Sequence, residues 1–186
     1  MGHLYALSRQ LRQVEVHDDG VRECIGRYGE VKNGMIVGIC LLLIAGIFTG
    51  DLWLKNYIEK NMGQNEVREM LGGRLLLSKH HNRGVVLNVG ERKRSVVAAL
   101  SVALTTVAVL AFVFSLGRKG NNLLRIGLAL LLGGAFSNTY DRLKRKYVVD
   151  YASINVKCKG IRSIIFNVSD LGILIGALLS ALGAWR

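Results

Sequence analysis

The sequence predicts an all-α membrane protein: a bundle of four transmembrane helices with a small β-sheet element on one side. Three observations carry that reading. Hydrophobic residues make up 51% of 186 residues although 20% are charged, so the apolar residues have to be concentrated in blocks. Four such blocks can be marked out, each free or nearly free of charge. The connections between them are unequal, and the two long ones contain short runs with strand character. So high an apolar content also excludes a wholly disordered chain.

Taken in order, residues 1–33 are polar and carry five basic and five acidic residues. They lack the basic-then-apolar start of a cleaved signal sequence. They read as a cytoplasmic tail with a surface helix over 4–16, dispensable for a working domain of residues 34–186. The first block, 34–50, reads GMIVGICLLLIAGIFTG, and Leu52, Trp53 and Leu54 extend it past Asp51. In the loop that follows, RLLLS (74–78) and VVLNV (85–89) look like strands joined by a turn-rich KHHNRG. The second block, 95–117, is 23 residues without a charge, long enough to cross a bilayer core. Only a turn at 118–122 separates it from the third block, 126–140. YVVDY (147–151) then reads as a strand. The last block, 164–185, is interrupted only by Asn167, Ser169, Asp170 and Ser180.

The remaining composition narrows the function classes. Cys24, Cys40 and Cys158 share no ligand spacing and read as unpaired thiols. His80 and His81 are adjacent and would point to opposite sides of a strand, so they suggest a polar turn and no metal site. The net charge is +12, with a Lys144-Arg145-Lys146 run beside a span. Lipid headgroups suit that run better than nucleic acid. Trp53 and Trp185 fit an interfacial aromatic belt. Gly172 and Gly176 form GxxxG, which, with Gly133-Gly134-Ala135, predicts close helix packing.

The acids are the most informative feature. Four spans put Asp51, Asp141, Asp150 and Asp170 on the same side as the two long loops. An ionisable residue at membrane depth is a functional candidate. Asp51 has Lys55 at helical ion-pair spacing, and Asp141 has Arg142 and the basic run beside it. No basic neighbour has a local claim on Asp150 or Asp170, and Asn167 shares a helix face with Asp170. Two carboxylates in a poorly hydrated site share a proton, one acting as base and one as acid, as hydrolysis of a peptide bond requires. Spacing alone leaves transport and structural roles open.

GGAFSNTYDRLKRKYVVDY (133–151) followed by FNVSD (166–170) resembles signal peptidase II, the lipoprotein signal peptidase family. That family's pattern is a GGAxGNxxDR stretch, a VVDF strand, and FNxAD opening the last span. Asn138, Asp141 and Arg142 match the first, Asp150 the second, Asn167 and Asp170 the third. Asp51 and Lys55 match its D-x-x-x-K, and Asn82 and Gly84 match its N-x-G-A-A-F. The resemblance covers residues 35–185. It implies that Asp150 and Asp170 are the catalytic pair of an aspartic endopeptidase. It implies that Asn82, Gly84, Asn138, Asp141, Arg142 and Asn167 shape the site or hold substrate, and that Asp51 and Lys55 support it. It further implies cleavage of diacylglyceryl-modified prolipoproteins just before the lipid-bearing cysteine, with no metal or other cofactor, by a monomer in a bacterial cell membrane. Val85-Val86-Leu87 departs from the family's Ala-Ala-Phe, and Ser137 and Ser169 replace Gly and Ala with little change in size.

Orientation carries a conflict. The family has both termini in the cytoplasm and the long loops, with the β-element, on the extracytoplasmic side. That arrangement leaves 9 Lys+Arg inside and 16 outside, against the positive-inside rule. The site has to face exported substrate, so the family orientation is expected, with the basic loops on anionic lipid. Two alternatives from other classes are a small proton-coupled transporter and a non-catalytic homologue that binds lipoprotein precursors.

Overall fold

The computed structural model describes residues 2–84, 93–117, 120–156 and 164–185, with side chains from Gly26 onward. Its elements in chain order are α1 (Gly2–Asn61), β1 (Val67–Met70), β2 (Leu75–Asn82), α2 (Arg94–Leu116), α3 (Asn122–Lys144), β3 (Val148–Ile154), β4 (Ile165–Phe166) and α4 (Val168–Ala184). Residues up to Ile39 form one compact unit and those from Cys40 onward a second. The four aspartates and the sheet lie in the second.

Among the described residues three helical stretches are long and apolar enough to cross a membrane: Gly26–Asn61, Arg94–Leu116 and Asn122–Lys144. The packing is inverted relative to a water-soluble protein. Leu104, Val107, Phe114, Leu174 and Leu178 are exposed, whereas Asp51, Lys55, Arg125 and Asp141 are buried. Apolar side chains face outward because lipid solvates them, and ionisable ones turn into the bundle because lipid does not. The protein is therefore a multi-pass membrane protein. Half of the apolar stretch of α3 is buried, against 11% and 22% for α1 and α2, so α3 is the central helix.

Helix α3 meets α4 through glycine. A Cβ on Gly134 would collide with the Ser169 carbonyl oxygen, and one on Gly176 with the Leu131 backbone nitrogen. The two backbones approach this closely only because neither residue has a side chain there. At the end away from the aspartates, Arg125 donates to the carbonyls of Ser115 (3.2 Å) and Leu116 (3.1 Å), satisfying the open C-terminus of α2. Asn121 caps α3 by accepting from Leu124 N and donates to Gly183 O at 2.9 Å. That bond ties the start of α3 to the end of α4, so the two helices run antiparallel.

The sheet has the order β1-β2-β3-β4 and is antiparallel throughout. A register shift between Leu77 and His80 brings His80 opposite Asp150 and Asn82 opposite Val148. Its core packs Val149, Tyr151 and Ala152 of β3 against Ile58 and Met62 at the end of α1. Four local expectations are corrected. KHHN is not a turn but the second half of β2, drawn into the ladder by β3. Strands β1 and β4 were not foreseen, being four and two residues long. The last helix begins at Val168 rather than 164, because Asn167 and Asp170 form a reciprocal capping box that fixes its first turn. The helix over 4–16 is part of α1, which begins at Gly2. The expected strand at 85–89 lies outside the described residues.

Gly134→Ala is expected to lower stability by about 1–3 kcal/mol through overpacking, read as thermal unfolding in detergent. Gly46→Ala, where a Cβ meets nothing within 4 Å, is the control and should be neutral or slightly stabilising. Equal behaviour of the two variants would remove the close-packing account.

Candidate active site

The C-terminal part of α1, the C-terminal half of α3, strand β3 and the first turn of α4 bring all four aspartates into one network. Its centre is Lys55, wholly buried. The ammonium contacts Asp51 Oδ2 at 2.7 Å and Asp141 Oδ2 at 3.2 Å. It also donates to Ser137 Oγ at 3.1 Å and Asn138 Oδ1 at 2.8 Å. The expected Asp51–Lys55 pair is present, and Asp141 shares the same lysine while its Oδ1 forms an ion pair with Arg145 Nε at 3.3 Å. Asp141 Oδ2 further accepts from Val149 N at 3.3 Å, which joins α3 to β3 one residue before Asp150.

Asp150 and Asp170 are treated differently: amide donors stand where a salt bridge would. Asn82 Nδ2 donates to Asp150 Oδ2 at 3.0 Å and Asn167 Nδ2 to Asp150 Oδ1 at 2.7 Å. Asp170 receives Asn138 Nδ2 at 2.8 Å and the Asn167 backbone N–H at 3.1 Å. Asn167 thus bridges the two carboxylates, and Asn138 links Asp170 to Lys55. Asp150 is buried and Asp170 half-buried. Burial first, and the Asp170 charge second, push the Asp150 carboxyl up to about 7. Near neutral pH it therefore exchanges a proton readily.

The other residues singled out in the sequence surround this pair. Gly84 N donates to Asn82 Oδ1 at 3.0 Å, closing a turn that orients the Asn82 amide. Arg142 donates to Gly84 O at 3.3 Å and interacts electrostatically with both Asp150 and Asp170. A cavity of about 570 Å³ lies between α2, α3 and α4. Its walls are apolar, from Leu104, Val107, Leu128 and Ile173 among others, and Asn138, Arg142 and Asp170 contribute polar groups to it. Val85-Val86-Leu87 falls outside the described residues.

Three hydroxyls were missed by the sequence reading. Ser137 and Ser169 both donate to Asp51 Oδ2, and Tyr151 OH donates to Asp51 Oδ1 at 2.9 Å. Nothing local in the sequence marks them, because their partner lies 86 to 118 residues away. His81 was read as part of a turn. It is in β2, 2.6 Å from Glu59 Oε1 and stacked on Tyr147 at 4.0 Å.

A multi-pass membrane protein that buries a carboxylate pair on amide donors beside an apolar cleft has the attributes of an intramembrane hydrolase. Comparison with known proteins makes this specific. Residues 43–186 match the family model for signal peptidase (SPase) II. A lipoprotein signal peptidase of Lactobacillus johnsonii is 31% identical over 150 residues, covering 81% of this chain and 91% of that protein. The lipoprotein signal peptidase of Fusobacterium nucleatum is 32% identical over 151 residues, covering 81% and 86%. A solved bacterial membrane enzyme superposes with a TM-score of 0.68 at 22% identity, over 80% of this chain and 88% of that one, and shares the fold. The chain belongs to the signal peptidase II family, and it is a peptidase.

The buried cation cluster makes a stability prediction. Lys55→Met should leave Asp51 and Asp141 uncompensated in a dry site and cost about 3–5 kcal/mol. Asp150→Asn breaks no direct salt bridge among the described residues, only longer-range attraction to cations such as Arg142, and should cost far less. Chemical unfolding in detergent measures both; a Lys55→Met variant as stable as the parent would show that the cluster does not hold the fold.

Proposed function

We propose that this chain is an aspartic endopeptidase of a bacterial cell membrane. It removes the signal peptide of diacylglyceryl-modified prolipoproteins just before the lipid-bearing cysteine. The observation that carries this reading is the Asn167 bridge between Asp150 and Asp170, with Asp170 bordering the apolar cleft. The two carboxyls hold one proton between them. The ionised member takes a proton from water as the water oxygen attacks the scissile carbonyl carbon. The protonated member hydrogen-bonds to the carbonyl oxygen and stabilises the oxyanion. The C–N bond then breaks, and a proton passes to the departing amine. Asn82, Asn138 and Asn167 orient the pair, and Arg142 and Gly84 hold substrate backbone. Asp51, Lys55 and Asp141 support the site from behind. The residues proposed for the chemistry come from one chain, so a monomer suffices.

The four-span arrangement belongs to the same proposal. Helix α4 has 17 residues, about 26 Å of helix, near the lower limit for a crossing. With α4 as the fourth span, the sheet and the site lie on the extracytoplasmic side, and residues 1–33 are a cytoplasmic tail outside the working domain of residues 34–186. The β1–β2 hairpin rests on lipid: Val67, Met70 and Leu71 are exposed, Arg68 interacts with Tyr57, and Tyr57 stacks on Trp53 of the interfacial belt. Membership of a peptidase family disfavours the transporter and non-catalytic readings.

Cleavage of a diacylated prolipoprotein by the purified protein tests the chemistry. Asp150→Asn and Asp170→Asn should each lower kcat by at least about a thousandfold while the fold persists. Raising the pH through about 7 removes the proton the pair must share, so kcat/KM should fall on the alkaline side. Activity retained by either variant would end the assignment. Orientation is read separately: with Cys24, Cys40 and Cys158 replaced by alanine, a cysteine at the exposed polar turn residue Asn65 (Asn65→Cys) should react with a membrane-impermeant thiol reagent from outside intact cells, and labelling only after lysis would reverse the topology.

A further inference from the structure

Asp51 lies at the end of the first apolar block and touches neither Asp150 nor Asp170 through a hydrogen bond among the described residues. Its carboxylate nevertheless receives three hydroxyls, each from a different element. Ser137 Oγ on α3 donates to Oδ2 at 2.7 Å, Ser169 Oγ on α4 donates to the same oxygen, and Tyr151 OH on β3 donates to Oδ1 at 2.9 Å. Asp51, Ser137 and Ser169 are wholly buried and Tyr151 nearly so. Each hydroxyl residue adjoins a site residue in sequence: Ser137 precedes Asn138, Tyr151 follows Asp150, and Ser169 precedes Asp170. Tyr151 OH also accepts from Val168 N at 3.1 Å, so strand β3 and the first turn of α4 are joined at one oxygen. Burial and the Asp51 charge raise the Tyr151 phenol, which therefore stays protonated and remains a donor. Ser137 Oγ accepts from Lys55 while it donates to Asp51, so both of its roles are filled.

We propose that Ser137, Ser169 and Tyr151 are positioning residues. They gather the three segments bearing Asn138, Asp170 and Asp150 onto the single carboxylate of Asp51, and so set the separation of the Asp150–Asp170 pair. The pair's shared proton depends on that separation, because the repulsion between two carboxylates in a poorly hydrated site falls as they part. Lys55 does not fix it alone: it reaches Asp170 through Asn138, and among the described residues it bonds directly to neither β3 nor α4. Asn167 joins Asp150 to Asp170 and Asp141 joins α3 to β3, and the hydroxyls of Tyr151 and Ser169 add the ties that hold β3 and α4 to the Asp51–Lys55 cluster itself.

This inference rests on the peptidase reading, and its test separates the two. Ser137→Ala, Ser169→Ala and Tyr151→Phe, singly and together, remove only hydroxyls. Each single variant should lower kcat between about tenfold and about a hundredfold, as sub-ångström to ångström misplacement does, with KM changed less than about twofold. Each should also move the alkaline limb of the pH profile to lower pH, because a wider pair repels less. The triple variant should lose less than the product of the single losses, since all three act on one carboxylate. Variants that unfold at lower temperature but keep the parent kcat and pH limb would overturn the proposal and leave the hydroxyls as stability contacts. Losses confined to KM would overturn it as well. If the parent protein itself does not cleave, the peptidase reading fails. The anchor is then decided by the Asp carboxyl titration, followed by carbon-13 NMR in detergent. A titration shifted to lower pH in Tyr151→Phe supports the anchor, and one that is unshifted overturns it.

Discussion

A lysine ammonium with no access to solvent is costly unless every proton on it finds an acceptor. Lys55 meets that condition with four acceptors from two elements, Asp51 on its own helix and Ser137, Asn138 and Asp141 on α3. The condition fixes more than the lysine. It sets the rotation of α1 about its axis, the depth of α3 beside it, and which end of the Asn138 amide faces away from Asp170. Once the Asn138 carbonyl is held by Lys55, its amide can only be spent on the far side, where Asp170 receives it. The orientation of one member of the pair is in this way a consequence of a charge that does not touch it.

Glycine makes that arrangement possible on the other flank. Helix α4 carries Asp170 in its first turn, and α4 approaches α3 to backbone contact at Gly134 and Gly176. Were a side chain at Gly134, the Ser169 carbonyl would be displaced, and with it Ser169 Oγ and Asp170. The capping box completes the placement: Asn167 Oδ1 accepts from Asp170 N at 2.9 Å while its backbone N–H donates to the Asp170 carboxylate. A helix-start device and a site bridge are one residue, since the amide left over from capping reaches Asp150.

What was legible in the sequence follows from range. Apolar blocks are local patterns, so the long helices could be read directly, and YVVDY was read as a strand that β3 matches closely. The GxxxG and GGA signals anticipated the α3–α4 contact. Strands of two and four residues carry no periodicity to read, and KHHN is a strand only because β3 pairs with it across a register shift. In the site, Asp51–Lys55 was visible because the partners are one helical turn apart. The Ser137 and Ser169 departures from the family pattern looked like small changes of size. Their hydroxyls matter through a carboxylate in a distant block, and no spacing rule spans that distance.

The four carboxylates divide into two pairs with opposite electrostatic treatment, and the division explains how they coexist. Asp51 and Asp141 share the Lys55 cation, which offsets the cost of burying their carboxylates. Asp150 and Asp170 receive neutral amides, which orient a carboxylate without cancelling its charge. Their mutual repulsion therefore survives and favours retention of a proton. A direct lysine contact on Asp150 or Asp170 would favour the ionised form and work against retention of a proton. The lysine organises the site through Asn138; its direct contacts go to Asp51 and Asp141, and its charge reaches Asp150 and Asp170 only through space. Two acids thus hold the cation on their own side of the site and leave the other two with amides as their direct partners.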